Sequence, residues 1–205
     1  LVKTLPYKFF ATSSIDALIH SIESFVSPNA TYYSRIFSKE AMTIILGCYK
    51  KVVSGENWNK YAKDFLYASN LAGIAFNNAG CGAVHALSYP LGGTYHIPHG
   101  EANMLMFEAV FKKYREKDPS GKINDLYLIL SDVLGCDESS ALDEMFKILD
   151  LILKRNPLNT YGVKKEELAA FAKSVVQNQG RLLANNYTSL SEDEMLEIYE
   201  SVFDK

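Results

Sequence analysis

Along the whole of this chain, apolar side chains recur at intervals of three and four, and nowhere do they alternate strictly with polar ones. That spacing lays them along one stripe of a helix, whereas a half-buried strand needs a period of two. Ile15, Leu18, Ile19, Ile22 and Phe25 form the first such stripe, with Ser13 and Ser14 as N-cap candidates and Ser27-Pro28 as its stop. Thr31 is placed to cap a second helix carrying Phe37, Ala41, Ile44, Ile45, Cys48 and Val52 and ending at Gly55. A third helix is expected from Asn57 towards Leu87. Leu142, Met145, Phe146, Leu149 and Leu153 mark another, closed by Asn156-Pro157, and Leu168, Phe171, Ala172 and Val175 one more. Ser191 and Glu194 have the spacing of a capping box for the last. The pattern predicts about eight helices and no strand, hence an all-α fold, a single multi-helix domain over residues 1–205.

Ordinary domains carry roughly 20–25% strand, so a strandless chain invites the expectation of a missing neighbour. The opening residues read as the run into a helix, and the chain is expected to be the C-terminal portion of a longer protein. At 48% apolar and 22% charged residues it has the composition of a folded protein and not of a disordered one. A net charge of −3 offers no general attraction to nucleic acid or to anionic lipid, so neither nucleic acid nor a membrane is an expected partner. Cys48, Cys81 and Cys136 lack C-x-x-C spacing and read as buried thiols of a reducing, cytoplasmic protein. Nothing approaches the roughly 20-residue apolar run of a membrane span or the pattern of a signal peptide. No G-x-G-x-x-G follows a strand, and neither a P-loop nor a G-x-S-x-G motif occurs, so the chain has no dinucleotide, nucleotide or acyl-transfer fingerprint.

Chemistry concentrates at the histidines. Only four occur, His20, His85, His96 and His99, and the last three fall within 15 residues. Asp16 and His20, four apart on the first helix, project from one face and have the spacing to grip one metal ion. Such a pair is more often solvated and worth about 0.2–0.5 kcal/mol. Gly80 and Gly82 let another backbone or a ligand approach His85, and Pro90, Gly92 and Gly93 are expected to break the helix after it. His99 is expected to open a helix running to about Tyr114, which would fold it back towards His85. One carboxylate and three imidazoles suit Zn²⁺ or Fe²⁺. On spacing alone, ordinary satisfied side chains and a purely structural metal site stay open as readings.

With those residues in view, the chain resembles the C-terminal helical domain of the iron-containing (group III) alcohol dehydrogenases. LPYKFFATSSIDALIHSIESFVS is similar to the family's first signature, and GAVHALSYPLGGTYHIPHGEAN to its second, in which two metal-binding histidines lie 14 apart. The resemblance implies a metal held by Asp16, His20, His85 and His99. It implies Fe²⁺ or Zn²⁺ as the ion and NAD or NADP as cofactor, bound mainly by an N-terminal α/β domain that this chain lacks. The implied reaction interconverts a primary alcohol and an aldehyde. The Ser-Tyr-Pro-Leu-Gly-Gly wording, with His96 just before Pro98, resembles the branch acting on 4-hydroxybutyrate and succinic semialdehyde. A short-chain alcohol or diol dehydrogenase of the same family is the alternative, and a homo-oligomer is left open. The sequence departs from the family at Tyr89, where a second histidine is usual. A tyrosine of ordinary pKa near 10 is a poor proton relay at neutral pH, whereas a histidine near 6.5 is a good one. The expectation is therefore that His96 reaches back across a Gly92-Gly93 turn to relay the proton or hold a substrate carboxylate, with Tyr89 positioning the substrate.

Overall fold

The computed structural model describes residues 2–204, which form ten α-helices, four short 3₁₀ turns and, among the described residues, no strand. The helices are α1 (Tyr7–Val26), α2 (Tyr32–Val53), α3 (Ala62–Ala79), α4 (Ala83–Tyr95), α5 (His99–Lys117), α6 (Lys122–Leu134), α7 (Ala141–Ile152), α8 (Leu168–Asn178), α9 (Gly180–Leu183) and α10 (Glu192–Ser201). The all-α expectation holds. Among the described residues, no helix is long and apolar enough to cross a membrane.

Helix α1 is the axis of the molecule, packed by α2, α3, α5 and α6. Ile15, Leu18, Ile19 and Ile22 have no exposed surface, and burying each such side chain contributes about 1.5–3 kcal/mol. Because neighbours cover α1 on several sides, its polar residues are buried too and must find partners. The Ser21 hydroxyl donates to the Leu18 carbonyl at 2.7 Å, and the Ser24 and Ser38 hydroxyls meet at 2.9 Å. A second group of helices, α4 with α5, α8, α9 and α10, closes over one flank.

Several local expectations are corrected. Helix α1 begins after Pro6, six residues before Ser13, because a proline with φ −61° is preset for a helix entrance. Ser13 and Ser14 are therefore inside the helix, where the Ser13 hydroxyl donates back to the Phe9 carbonyl at 2.6 Å and that of Ser14 meets Tyr49 Oη at 2.6 Å. The expected third helix is interrupted at residues 80–82, where Gly80 takes φ +79°, and its two halves are α3 and α4. Pro90, Gly92 and Gly93 do not break α4, which continues to Tyr95. Tertiary packing overrides the local cost of proline, since Leu87 and Leu91 on either side are fully buried and the Leu87 carbonyl accepts Tyr199 Oη at 2.6 Å. The turn instead falls at His96, the one non-glycine residue with positive φ (54°) among those described, followed by Pro98. Helix α7 ends at Ile152, before Asn156-Pro157, and Pro157 leads into a 3₁₀ turn. The caps at Thr31 and Ser191 are present, each closing a capping box.

Helix α5 approaches α1 at Gly100, where any β-carbon would collide with the Thr12 carbonyl and lie 3.3 Å from Asp16 Cβ. The missing side chain is what seats the start of α5 directly over Asp16. Gly100→Ala is expected to lower stability by about 1–3 kcal/mol through this overpacking, read as a lower urea midpoint with unchanged slope. An unchanged midpoint would show that the close contact is not needed.

Candidate metal centre

The site lies where α1, α4 and α5 meet. From α1 come Asp16 and His20, from the first turn of α4 comes His85, and the first residue of α5 is His99. His85 Nε2 and His99 Nε2 lie 3.6 and 3.7 Å from Asp16 Oδ1, and His20 Nδ1 lies 3.7 Å from Asp16 Oδ2. Asp16, His85 and His99 bring one donor atom each within 4.8 Å of one another. His20 joins His85 and Cys81 in a second such group, so the two groups share His85. The His20 ring is stacked between Phe76, at 4.6 Å, and His85, at 4.5 Å.

What orients His85 is a buried carboxylate. Gly82 at the N-cap of α4 has no side chain to satisfy the helix's first amides. Glu23, buried on α1, does so instead: its Oε1 accepts the Val84 N–H at 2.8 Å and its Oε2 lies 2.5 Å from His85 Nδ1. An ionised carboxylate only accepts, so Nδ1 carries a proton and Nε2 is the ring nitrogen turned towards the site. That Nε2 is buried with no hydrogen-bond partner. A buried nitrogen with no hydrogen-bond partner, 3.6 Å from a carboxylate oxygen, is an arrangement that a cation completes, whether a proton on the ring or a metal ion.

Asn103, one turn after His99, completes the arrangement. Its Nδ2 lies 2.7 Å from Asp16 Oδ1 and 3.2 Å from His99 Nε2, tying α5's first turn to α1. Burial pushes the Asp16 carboxyl up, but the surrounding imidazoles of His85, His20 and His99 outweigh it and hold the group at about 2. His20 is drawn down to about 4, by burial first, against the opposing pull of Asp16. Burial opposes charge on His85 as well, yet its contacts with Asp16, Cys81 and Glu23 raise it well above the ordinary range. Burial raises the Cys81 thiol, which keeps it protonated while no cation is bound.

Exposure across the centre is uneven. His85 is 4% exposed at the side chain and His99 48%. A cleft of about 300 Å³ is lined by His20, His85 and His99 together with Phe76 and Tyr89. Tyr89, half-exposed, lies 6.2 Å from the His99 ring. His96 is exposed and does not line the cleft; with α4 continuous through Gly92 and Gly93, no turn brings it back. Glu23 and Asn103 had no assigned role in the sequence reading. Their signal was present as spacing, since Glu23 lies one turn beyond His20 and Asn103 one turn beyond His99.

Comparison with known proteins places this geometry in context. The model of the Fe-containing alcohol dehydrogenase family, C-terminal part, matches residues 10–203. The 4-hydroxybutyrate dehydrogenase of Clostridium kluyveri is 52% identical over 206 residues, covering 98% of this chain and 55% of that protein. Long-chain-alcohol dehydrogenase 1 of Geobacillus thermodenitrificans is 33% identical, covering 99% of this chain and 52% of its own length. The crystal structure of a 1,3-propanediol oxidoreductase superposes with a TM-score of 0.83 at 26% identity, over 98% of this chain and 53% of that one. The chain thus spans about half the length of the relatives it matches.

Glu23→Gln tests the orienting carboxylate. Titrated with Zn²⁺ against a chromophoric chelator, the variant is expected to bind about 10- to 100-fold more weakly than the parent, the usual effect of losing a carboxylate behind a histidine ligand. Equal affinities would remove Glu23 from the site's design.

Proposed function

This chain belongs to the Fe-containing alcohol dehydrogenase family, as its C-terminal helical part, and from that premise we propose that it forms the metal-binding wall of an active site interconverting a primary alcohol and an aldehyde. Asp16, His20, His85 and His99 would hold the ion, Fe²⁺ or Zn²⁺. The observation that carries the reading is the buried, unpartnered His85 Nε2 converging with His99 Nε2 on Asp16 Oδ1. The half-exposed His99 favours a catalytic over a closed structural site, because a structural ion is surrounded by protein ligands while a catalytic one keeps a side open to substrate. The 52% identity to a 4-hydroxybutyrate dehydrogenase supports 4-hydroxybutyrate and succinic semialdehyde as the substrate pair.

When bound, the ion supplies Lewis-acid polarisation of the substrate oxygen. The protein's own groups prepare for that chemistry. Glu23 fixes the His85 tautomer, and Asn103 holds Asp16 and His99 in register. Phe76 is stacked on His20 and holds its ring in place, and Tyr89 flanks the mouth beside His99, where it positions the carbon chain of the alcohol. Oxidation also needs a hydride acceptor, the chemistry a nicotinamide provides. No glycine-rich phosphate cradle occurs in this chain, so that task is assigned to the other half of the full-length protein.

The test uses the full-length protein. We expect about one divalent ion per chain, loss of alcohol oxidation on chelation and its return on adding metal back. His99→Ala should bind the ion at least tenfold more weakly and lower kcat/KM by about 100-fold or more. Undiminished metal content and turnover in that variant would refute the ligand set. Residues 1–205 alone should oxidise no alcohol, and turnover by them would refute the division of labour.

A further inference from the structure

The cleft beside the metal centre has one permanently charged side chain in its lining, Arg181 of α9. The chain has four arginines, and three of them pair with carboxylates: Arg35 with Asp125, Arg115 with Asp143, and Arg155 with both Glu108 and Asp150. Arg181 is exposed and has no acidic partner among the described residues. The backbone that carries it is nevertheless anchored. Leu182 beside it is buried, and the Asn185 side chain, one turn on, donates to the Cys81 carbonyl at 3.2 Å while accepting from Asn29 Nδ2 at 2.6 Å. Gly80 makes room for this, since a β-carbon there would strike the Asn185 amide. Cys81 is four residues before His85, so the same short loop that leads into the metal centre also carries the anchor of Arg181.

Resting on the dehydrogenase reading above, we propose that Arg181 is the specificity-determining residue that recognises an anionic end of the substrate, a carboxylate on the far side of the cleft from the hydroxyl to be oxidised. A guanidinium is always charged and offers a planar fork of donors that matches a carboxylate in two parallel hydrogen bonds. Phe76 and Leu182 line the same cleft and supply apolar surface for a short methylene chain. A cleft of about 300 Å³ is at the small end of ligand sites and suits a short hydroxy acid better than a long-chain alcohol. His96, the sequence-based candidate for holding a carboxylate, does not line this cleft.

The experiment compares kcat/KM for 4-hydroxybutyrate and its neutral analogue 4-hydroxybutanamide in the full-length, metal-loaded enzyme. The parent should prefer the acid. Arg181→Gln should shrink the acid-to-amide ratio on the order of 10- to 100-fold, chiefly through KM for the acid, the range expected for lost hydrogen bonds to a charged group. Arg181→Lys should recover part of the ratio, and Arg181→Glu should shift preference towards 4-amino-1-butanol. A ratio unchanged in Arg181→Gln, or an equal fall for acid and amide, would overturn the assignment. So would a rise confined to KM for the nicotinamide cofactor, which would put the guanidinium on a cofactor phosphate. A parent enzyme that oxidises neutral alcohols without preferring the acid would overturn this inference and leave the dehydrogenase reading standing. A metal-loaded parent that oxidises no primary alcohol would overturn both.

Discussion

The carboxylate of Glu23 sits on the most enclosed helix of the molecule and joins that helix to the start of α4 through two hydrogen bonds. An ionised carboxylate taken out of water costs several kcal/mol unless its lone pairs are met, so this residue is tolerable in the core only while Val84 and His85 stay in place. The dependence runs both ways. The N-cap of α4 is a glycine with nothing to offer its own amides, and its first turn relies on a side chain from another helix. The negative charge at a helix N-terminus adds a favourable interaction with the aligned peptide dipoles. One buried group therefore aligns α4 on α1, selects the tautomer of His85 and aims its free nitrogen at Asp16.

Glycines set how closely the other pieces approach. Gly100 lets the first turn of α5 rest on the α1 backbone at Thr12, which puts His99 beside Asp16. Gly82 leaves room for the Asn186 and Glu23 side chains, and Gly80 both reverses the chain with a positive φ and admits Asn185. Close-packed interiors transmit an added methyl as a displacement, and a metal ligand set tolerates displacements of only a few tenths of an ångström. The stiffness of the centre follows from these contacts and from the His20 ring held between two others.

The centre is also polarised in space. On its inner side lie Glu23, Asn103 and the buried His85; on its outer side the half-exposed His99 and Tyr89 line the cleft, as does Arg181. Groups that must hold their geometry are on long helices locked by the core. The exposed groups are His99 at the start of α5, Tyr89 within α4 and Arg181 on the four-residue α9.

Much of this was readable in the chain. The three-to-four periodicity specified helices because amphipathic burial is a local property, and the capping residues Thr31 and Ser191 act within one turn. The Asp16/His20 pair was legible for the same reason, since four residues on a helix make one face. His85 and His99 were visible as a cluster because only a short turn separates their helices. Where tertiary packing competes with local preference, the local reading failed: Pro90 stays inside α4 because buried neighbours outweigh its missing hydrogen bond, and His96 is carried to the end of that helix instead of back across it. The partners of the site were hidden for a different reason. Glu23 meets His85 across 62 residues, Asn103 meets Asp16 across 87, and Arg181 reaches the cleft from still farther along the chain. Periodicity records which face of a helix turns inward, but the choice of which helix it then faces is made by the packing of the whole core.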